Sequence, residues 1–365
     1  MKELKALQKR IEKNVKGVHV SVLADSDIAA ERDWIQSPCY DLNRILTGSF
    51  YRGIPNKMVV GIVGPEASMK SSFMVLCMVE AQKKGYMPVI IDTEGGISSE
   101  FCGRWGLNIN ECLYIYTPYV EDVTVLLGQL YHDPKSKAEP TRYIVGVDSA
   151  GNLNRKKALE DAKEGKHKQD QGLLQKDIKA MFKLLLALAI QQDSIGIVCG
   201  HLYGSPSLIP TPDQVGGGKA MRYLPRILIN LKREYIKDKV TKEVTGTRLK
   251  AYTLKNWLYP PFQEATVDID YKKGIDPYAG IVDLAIDAGI IVANPPWYDV
   301  GDGNKVQGKD ALREYLETGN VINQLESWIS NTGYSTVNKE LEEAAKIMED
   351  EEGIIIDVEG EVIEP

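Results

Sequence analysis

Short runs of valine and isoleucine, each ending in a polar or glycine-rich turn and alternating with helical stretches, predict an α/β fold with a mainly parallel sheet. The runs lie in KMVVGIVGPE, MPVIIDTE, RYIVGVDS and SIGIVCGH. Each is apolar throughout rather than alternating, as a strand covered on both faces should be. The helical stretches 71–84 and 175–191 supply right-handed crossovers between them. Size agrees: 365 residues with 43% hydrophobic and 26% charged side chains can bury a large core, which excludes a mainly disordered chain.

In chain order, residues 1–16 carry Leu4, Leu7 and Ile11 at helical spacing and predict a short charged helix. A polar stretch, 25–32, separates it from the core. The four apolar runs follow, and then two strand-like segments, 227–237 and 247–255, with a polar turn holding Gly246 between them. A smaller unit with helix-like and strand-like pieces begins near Gly274. The expected organisation is an N-terminal arm over 1–33, a core over 34–273, a small C-terminal α/β domain over 274–335 and an acidic tail over 336–365.

The opening MKELKALQKRIEK lacks the apolar stretch of a signal peptide. The longest apolar run, 184–190, is far short of the ~20 residues that span a bilayer. A soluble, cytoplasmic protein with no membrane partner is expected. Five scattered cysteines without a CxxC pair predict free thiols in a reducing compartment, and four histidines without ligand spacing argue against zinc. The net charge of −7 is segregated: residues 342–365 hold ten acids and only Lys346, a local −9. The rest is mildly basic, so nucleic acid remains an admissible partner and the tail reads as a solubilising end or as a competitor for it.

The chemistry is concentrated after the first strand. Gly64, Pro65, Glu66, Ala67, Ser68, Met69, Lys70 and Ser71, followed by Ser72, stand between an apolar strand and a helix, the setting of a GxxxxGK[ST] loop. Backbone N–H groups and the helix N-terminus there favour nucleotide phosphates. Lys70 supplies a point charge, and the Ser71 hydroxyl completes a Mg²⁺ shell. Met69 occupies the place of the second glycine, at a cost on the order of 1 kcal/mol if its backbone is left-handed. Asp148, at the carboxyl end of the 142–147 run, stands where a Mg²⁺-orienting aspartate belongs. Glu94, after the 89–92 run, is placed to polarise an attacking water.

These residues belong to a longer pattern. IQSPCYDLNRILTGSFYRGIPNKMVVGIVGPEASMKSSF resembles the opening of the RecA recombinase core, VIIDTE its strand with the catalytic glutamate, and VDSAGNL its Walker B segment. The likeness continues through VGGGKAMRYLPRILINLKR, LKNWLYPPF, GIDPYAGIVDLAIDAGII and PPWYDVGDGNKVQGKDALREYL, over about residues 34–330. GIDPYAG, DSAGNL and the bulky Met69 are most similar to the phage UvsX-type recombinases.

The resemblance implies a RecA-like P-loop ATPase core and a DNA-dependent ATPase, with ATP and Mg²⁺ as cofactors. It implies polymerisation on single-stranded DNA, pairing with homologous duplex DNA, and strand exchange in recombination, repair and recombination-dependent replication. It assigns phosphate and metal roles to Lys70 and Ser71, the base to Glu94, the Walker B acid to Asp148 and γ-phosphate sensing to His201. Phe101 and Tyr271 match aromatic positions near the adenine, with plain core as the alternative. Two DNA-binding loops are implied, 154–172 and 202–218. The first carries Arg155, Lys156, Lys157, Lys166 and Lys168; the second carries Leu208, Ile209, Gly217 and Gly218, with Lys219 and Arg222 just beyond. Segment 219–255 has a local net of +8, which suits a phosphate backbone.

The N-terminal helix is implied to dock on a neighbouring protomer of a helical filament, and single-strand-binding and loader proteins are further implied partners. Of two lysines that reach a neighbour's γ-phosphate in this family, Lys255 matches the first and Trp257 replaces the second, which leaves a cation missing. The alternatives are a hexameric helicase of the same fold and a DNA-bound filament scaffold with little hydrolysis.

Overall fold

The structure, a computed structural model, describes residues 2–15, 18–26, 28, 32–131, 141–165, 171–203, 215–238, 240–301, 303–318, 320–333, 355–356 and 362–363. Met1–Asp33 and Trp34–Pro365 are two compact units. In the first, α1 (Lys2–Asn14) exposes Leu4 and Leu7, and the Gln8 amide donates to the Val20 carbonyl at 2.8 Å. No helix among the described residues is long and apolar enough to cross a membrane.

The second unit opens with β1 (Trp34–Ile35), α2 (Tyr40–Thr47) and β2 (Ile54–Pro55), the two strands pairing with each other. The expected alternation follows: β3 (Met58–Gly64), α3 (Lys70–Lys83), β4 (Met87–Asp92), α4 (Ser99–Arg104), β5 (Leu113–Tyr116), α5 (Val120–Leu130) and β6 (Tyr143–Asp148). Next come α6 (Lys156–Lys163), α7 (Gln171–Gln191), β7 (Ile195–His201), α8 (Gly218–Tyr223), β8 (Ile227–Lys237), β9 (Val244–Asn256), β10 (Glu264–Asp270) and β11 (Gly274–Asp276). Nine strands form one sheet in the order β11-β10-β9-β8-β3-β7-β6-β4-β5. The stretch from β8 to β5 is parallel; β9, β10 and β11 extend it antiparallel.

All seven residues of β3 are buried, and strand alternation divides them between two cores. Met58, Val60 and Ile62 pack with Phe73, Met74 and Met78 of α3. Val59 and Val63 pack with Val123 and Leu127 of α5 and Phe182 and Leu185 of α7. Each such side chain gives about 1.5–3 kcal/mol on burial, so the strand is held from both sides. The ends of β3, β4, β6 and β7 thereby become a fixed rim, where ligands of open α/β sheets bind.

Two expectations need correction. Gly246 is not in the hairpin turn but inside β9, opposite Ile236 of β8 and Asp270 of β10. A β-carbon there would lie 2.5 Å from the Ile269 carbonyl, so the glycine serves close strand approach. The turn is made by Asp238, whose carboxylate accepts from the Val240 and Thr241 N–H groups at 2.8 Å each. The boundary at Gly274 also falls inside the large sheet, because β11 pairs with β10 as its edge.

A third core lies beyond, with α9 (Ile281–Asp287), the antiparallel β12 (Val292–Asn294), β13 (Trp297–Asp299) and β14 (Lys305–Gln307), then α10 (Gly308–Thr318) and α11 (Val321–Thr332). Leu284, Leu312, Leu316 and Leu325 fill it, together with Phe50 from the segment after α2. The expected tail, 336–365, lies outside the described residues apart from the paired strands Ile355–Ile356 and Val362–Ile363.

Candidate active site and nucleic-acid interface

After Gly64 the chain turns sharply into α3, with left-handed backbone at Ala67 (φ 57°) and Met69 (φ 66°). Met69 therefore carries the strain foreseen for a non-glycine residue, and its side chain packs against the core beneath α3 in partial compensation. Gly64 has no room for a side chain: a β-carbon would strike Ser68 and lie 2.6 Å from the Leu231 carbonyl of β8. Lys70 is buried, and its ammonium donates to the carbonyls of Gly64 (3.1 Å) and Pro65 (2.8 Å). Burial lowers its pKa, against the opposing pull of nearby acids including Asp148 and Glu94.

The Ser71 hydroxyl donates to the Asp148 carboxylate, which joins the two expected metal ligands across the gap between α3 and β6. Burial raises the Asp148 pKa, the Ser71 hydrogen bond opposes that, and the charge of Glu94 adds to it. A hydroxyl and a carboxylate side by side suit a Mg²⁺ ion that completes its shell with water and phosphate oxygens. Ser68 Oγ is buried without a hydrogen-bond partner, so the loop holds a polar atom that a phosphate oxygen would satisfy. These residues fit a Mg²⁺-nucleotide.

Glu94 hangs over the same space. One of its oxygens accepts from the Ser149 hydroxyl at 2.7 Å and lies 2.7 Å from His201 Nε2. Its place is set by Asp92, which is 1% exposed. Asp92 Oδ1 accepts from the N–H groups of Glu94 (2.9 Å) and Gly95 (2.8 Å), and Oδ2 from the Ile97 N–H (2.9 Å) and the Tyr114 hydroxyl (3.0 Å). Thr93 locks the turn to Ser149 through bonds of 2.9 and 2.8 Å. Sequence reading missed Asp92 and Thr93; the DTE triplet at a strand end was the available signal, since a buried aspartate there needs donors.

A cavity of about 660 Å³ is lined by residues 66–72, Glu94, Phe101, Asp148, Asn152, His201, Tyr203 and Arg233. It thus brings together Lys70, Ser71, Glu94, Asp148, His201 and Phe101. Two candidates lie elsewhere. Tyr271 is exposed, bonded through its hydroxyl to Thr247 at 2.8 Å. Lys255 donates to the Tyr223 carbonyl at 2.5 Å beside the exposed Trp257 ring. Within one chain neither reaches the cavity.

The loop expected over 154–172 is partly helical, as α6 and the first two residues of α7. Arg155 pairs with Asp177 at 2.8 Å, Lys156 with Asp122, and Lys157 is exposed. Of the second loop, Gly217 (φ 91°) and Gly218 (φ 63°) form the entry to α8, Lys219 is exposed and Arg222 packs 5.8 Å from the Tyr223 ring. Lys166, Lys168, Leu208 and Ile209 lie outside the described residues. The roots of the two loops touch: a β-carbon on Gly151 would sit 3.1 Å from the Gly216 Cα, and the Gly216 N–H donates to the His201 carbonyl at 2.7 Å.

With this geometry in view, the chain matches the model of the RecA N-terminal domain over residues 2–276. It is similar to the RecA protein of Thermus aquaticus, at 28% identity over 72% of this chain and 75% of that one. Similarity to the RecA protein of Aquifex aeolicus is 29% over 73% and 74% of the two chains, and to that of Paracoccus denitrificans 26% over 72% of each. A likeness that spans the loop, the strand-end acids and the antiparallel extension of the sheet shows that the chain belongs to the RecA family.

Proposed function

We propose that this RecA-like DNA recombinase binds ATP with Mg²⁺ in the cavity and polymerises on single-stranded DNA. In this reading it hydrolyses ATP as it pairs and exchanges that strand with homologous duplex. The observation that carries the reading is the 2.7 Å contact between Glu94 and His201, because it supports a link between the carboxylate read as the base and the strand end that roots the second loop. Glu94 is the carboxylate that takes a proton from the attacking water, and Lys70 holds the β- and γ-phosphates. Ser71 and Asp148 would hold Mg²⁺, which neutralises phosphate charge when bound. His201 ends β7, and its carbonyl holds Gly216 at the root of the second DNA segment. A γ-phosphate that accepts a hydrogen bond from His201 competes with Glu94 for that imidazole, and in doing so shifts the strand end that positions that root.

The exposed Lys157 and Lys219 and the glycines at 217 and 218 serve the DNA backbone, as do Lys166 and Lys168. The N-terminal unit, with its exposed Leu4 and Leu7, docks on a neighbouring protomer. Lys255 acts across that interface, and Tyr271 meets the adenine of a nucleotide there. Met69 and the GIDPYAG segment ally the chain with phage-type recombinases, and a cytoplasmic setting follows.

Strand exchange between homologous substrates with ATP, against a Lys70→Ala control, tests the reading. Wild-type protein should yield joint molecules and the variant none. Helical filaments with turnover support a recombinase, whereas rings, or filaments without turnover, refute it.

A further inference from the structure

Arg233, the last residue of the segment VGGGKAMRYLPRILINLKR, lines the phosphate cavity. Strand β8 runs parallel to β3, with Asn230 level with Val63, and continues past the end of β3. Leu231, level with the loop root, packs into the core beneath α3. Arg233 is two residues further, hence on the same face and about 7 Å beyond the root. There it lines the cavity with residues 66–72, Glu94 and His201. Its guanidinium makes no ion pair among the described residues and packs over the Tyr235 ring, 4.7 Å from the centroid. The acids nearest the chemistry are engaged elsewhere: Asp148 by Ser71, Glu94 by Ser149 and His201. A half-buried arginine without a carboxylate partner, facing a polyphosphate loop, is a donor fork awaiting an anion.

We propose that Arg233 binds the γ-phosphate of ATP from within the same chain and supplies there the positive charge that Trp257 cannot bring from a neighbouring protomer. The inference rests on the ATP reading of the cavity. In hydrolysis the water oxygen bonds to the γ-phosphorus as the bridging P–O bond breaks. The water proton passes to Glu94 and the electron pair leaves with the β-phosphate of ADP. Arg233 donates to the γ-phosphate oxygens, so it favours ATP over ADP and the transition state over both.

The test uses full-length Arg233→Gln and Arg233→Lys proteins with Mg²⁺, titrated with fluorescent ATP and ADP analogues and assayed for ATPase on single-stranded DNA. In Arg233→Gln, ATP affinity should fall about 10-fold, the value of a charge-assisted hydrogen bond, while ADP affinity stays within about 2-fold. Turnover should fall by at least about 10²-fold, and Arg233→Lys should recover part of both. Glu94→Gln protomers carry an intact Arg233, so adding them to Arg233→Gln filaments should not restore turnover. Unchanged ATP/ADP discrimination and turnover in Arg233→Gln would overturn the inference alone, as would rescue in mixed filaments. Lost DNA binding with both nucleotide affinities intact would overturn it too. Wild-type protein that binds neither analogue would overturn the site reading and this inference with it.

Discussion

Replacing Asp92 by asparagine isolates the turn that aims Glu94. The carboxylate accepts four hydrogen bonds, two on each oxygen, and is buried. Asparagine keeps one acceptor and turns the other into a donor. With its oxygen toward the Glu94 and Gly95 N–H groups, its NH₂ faces Tyr114 and Ile97. The Tyr114 hydroxyl can rotate to accept; the Ile97 N–H cannot. One buried N–H without a partner costs about 1–3 kcal/mol, and the loss of charge on the two bonds that remain costs about 1 kcal/mol more. The expected destabilisation is therefore about 2–4 kcal/mol, enough to lower the thermal midpoint of a chain this long by about 3–5 °C. A displacement of Glu94 by about 1 Å costs on the order of 10²-fold in turnover. Tyr114→Phe is the control: it removes one donor and leaves the Glu94 and Gly95 bonds in place, so turnover should hold within about 2-fold. DNA-stimulated ATPase and thermal unfolding of the two variants decide the matter. An Asp92→Asn protein with normal midpoint and rate would refute the positioning argument, and so would a Tyr114→Phe protein that is equally inactive.

Glu94→Gln should lower ATP turnover by about 10²–10⁴-fold while ATP-bound filaments persist in negative-stain images; a normal rate would assign the base to another carboxylate. Asp148 titrates above its ordinary 3.8 in the folded protein because it is buried. A carboxyl raised in this way contributes stability below the unfolded value and loses it as pH rises through the folded value. Asp148→Asn should thus gain stability relative to wild type as pH rises above about 4 in Mg²⁺-free denaturant titrations, while it loses Mg²⁺-dependent ATPase. Truncation after residue 341 removes a net −9 and should tighten duplex DNA binding, most clearly at low salt, where screening lengths exceed about 10 Å. Superimposable titration curves would leave the tail a solubilising role.

The central strands were legible because burial on both faces writes itself as unbroken Val/Ile runs, as in β3, β4, β6 and β7. The loop from Gly64 to Ser71 was legible because phosphate binding demands particular residues at fixed spacing. Asp92 was not, since its role depends on N–H groups that converge only once the turn has folded. Arg233 was hidden for a related reason: it reaches the cavity by sheet register, from a strand more than 160 positions along the chain from the loop. Gly246 misled, because glycine marks a turn and a close strand contact with the same letter. Lys255 and Tyr271 stand outside the cavity within one chain, and the roles proposed for them need a second protomer.

Gly151 and Gly216 meet backbone to backbone, so the joint between the strand ends and the two segments that leave them asks for little beyond two missing β-carbons. Length, charge and aromatic content can therefore drift in the segments that leave it without disturbing that contact. A methyl at either glycine does the reverse, pushing against the opposite Cα at 3.1 Å whatever segment follows. Tolerance to change and constancy of the joint are thus housed in different residues, so the outgoing segments can be retuned without rebuilding the strand ends around the cavity.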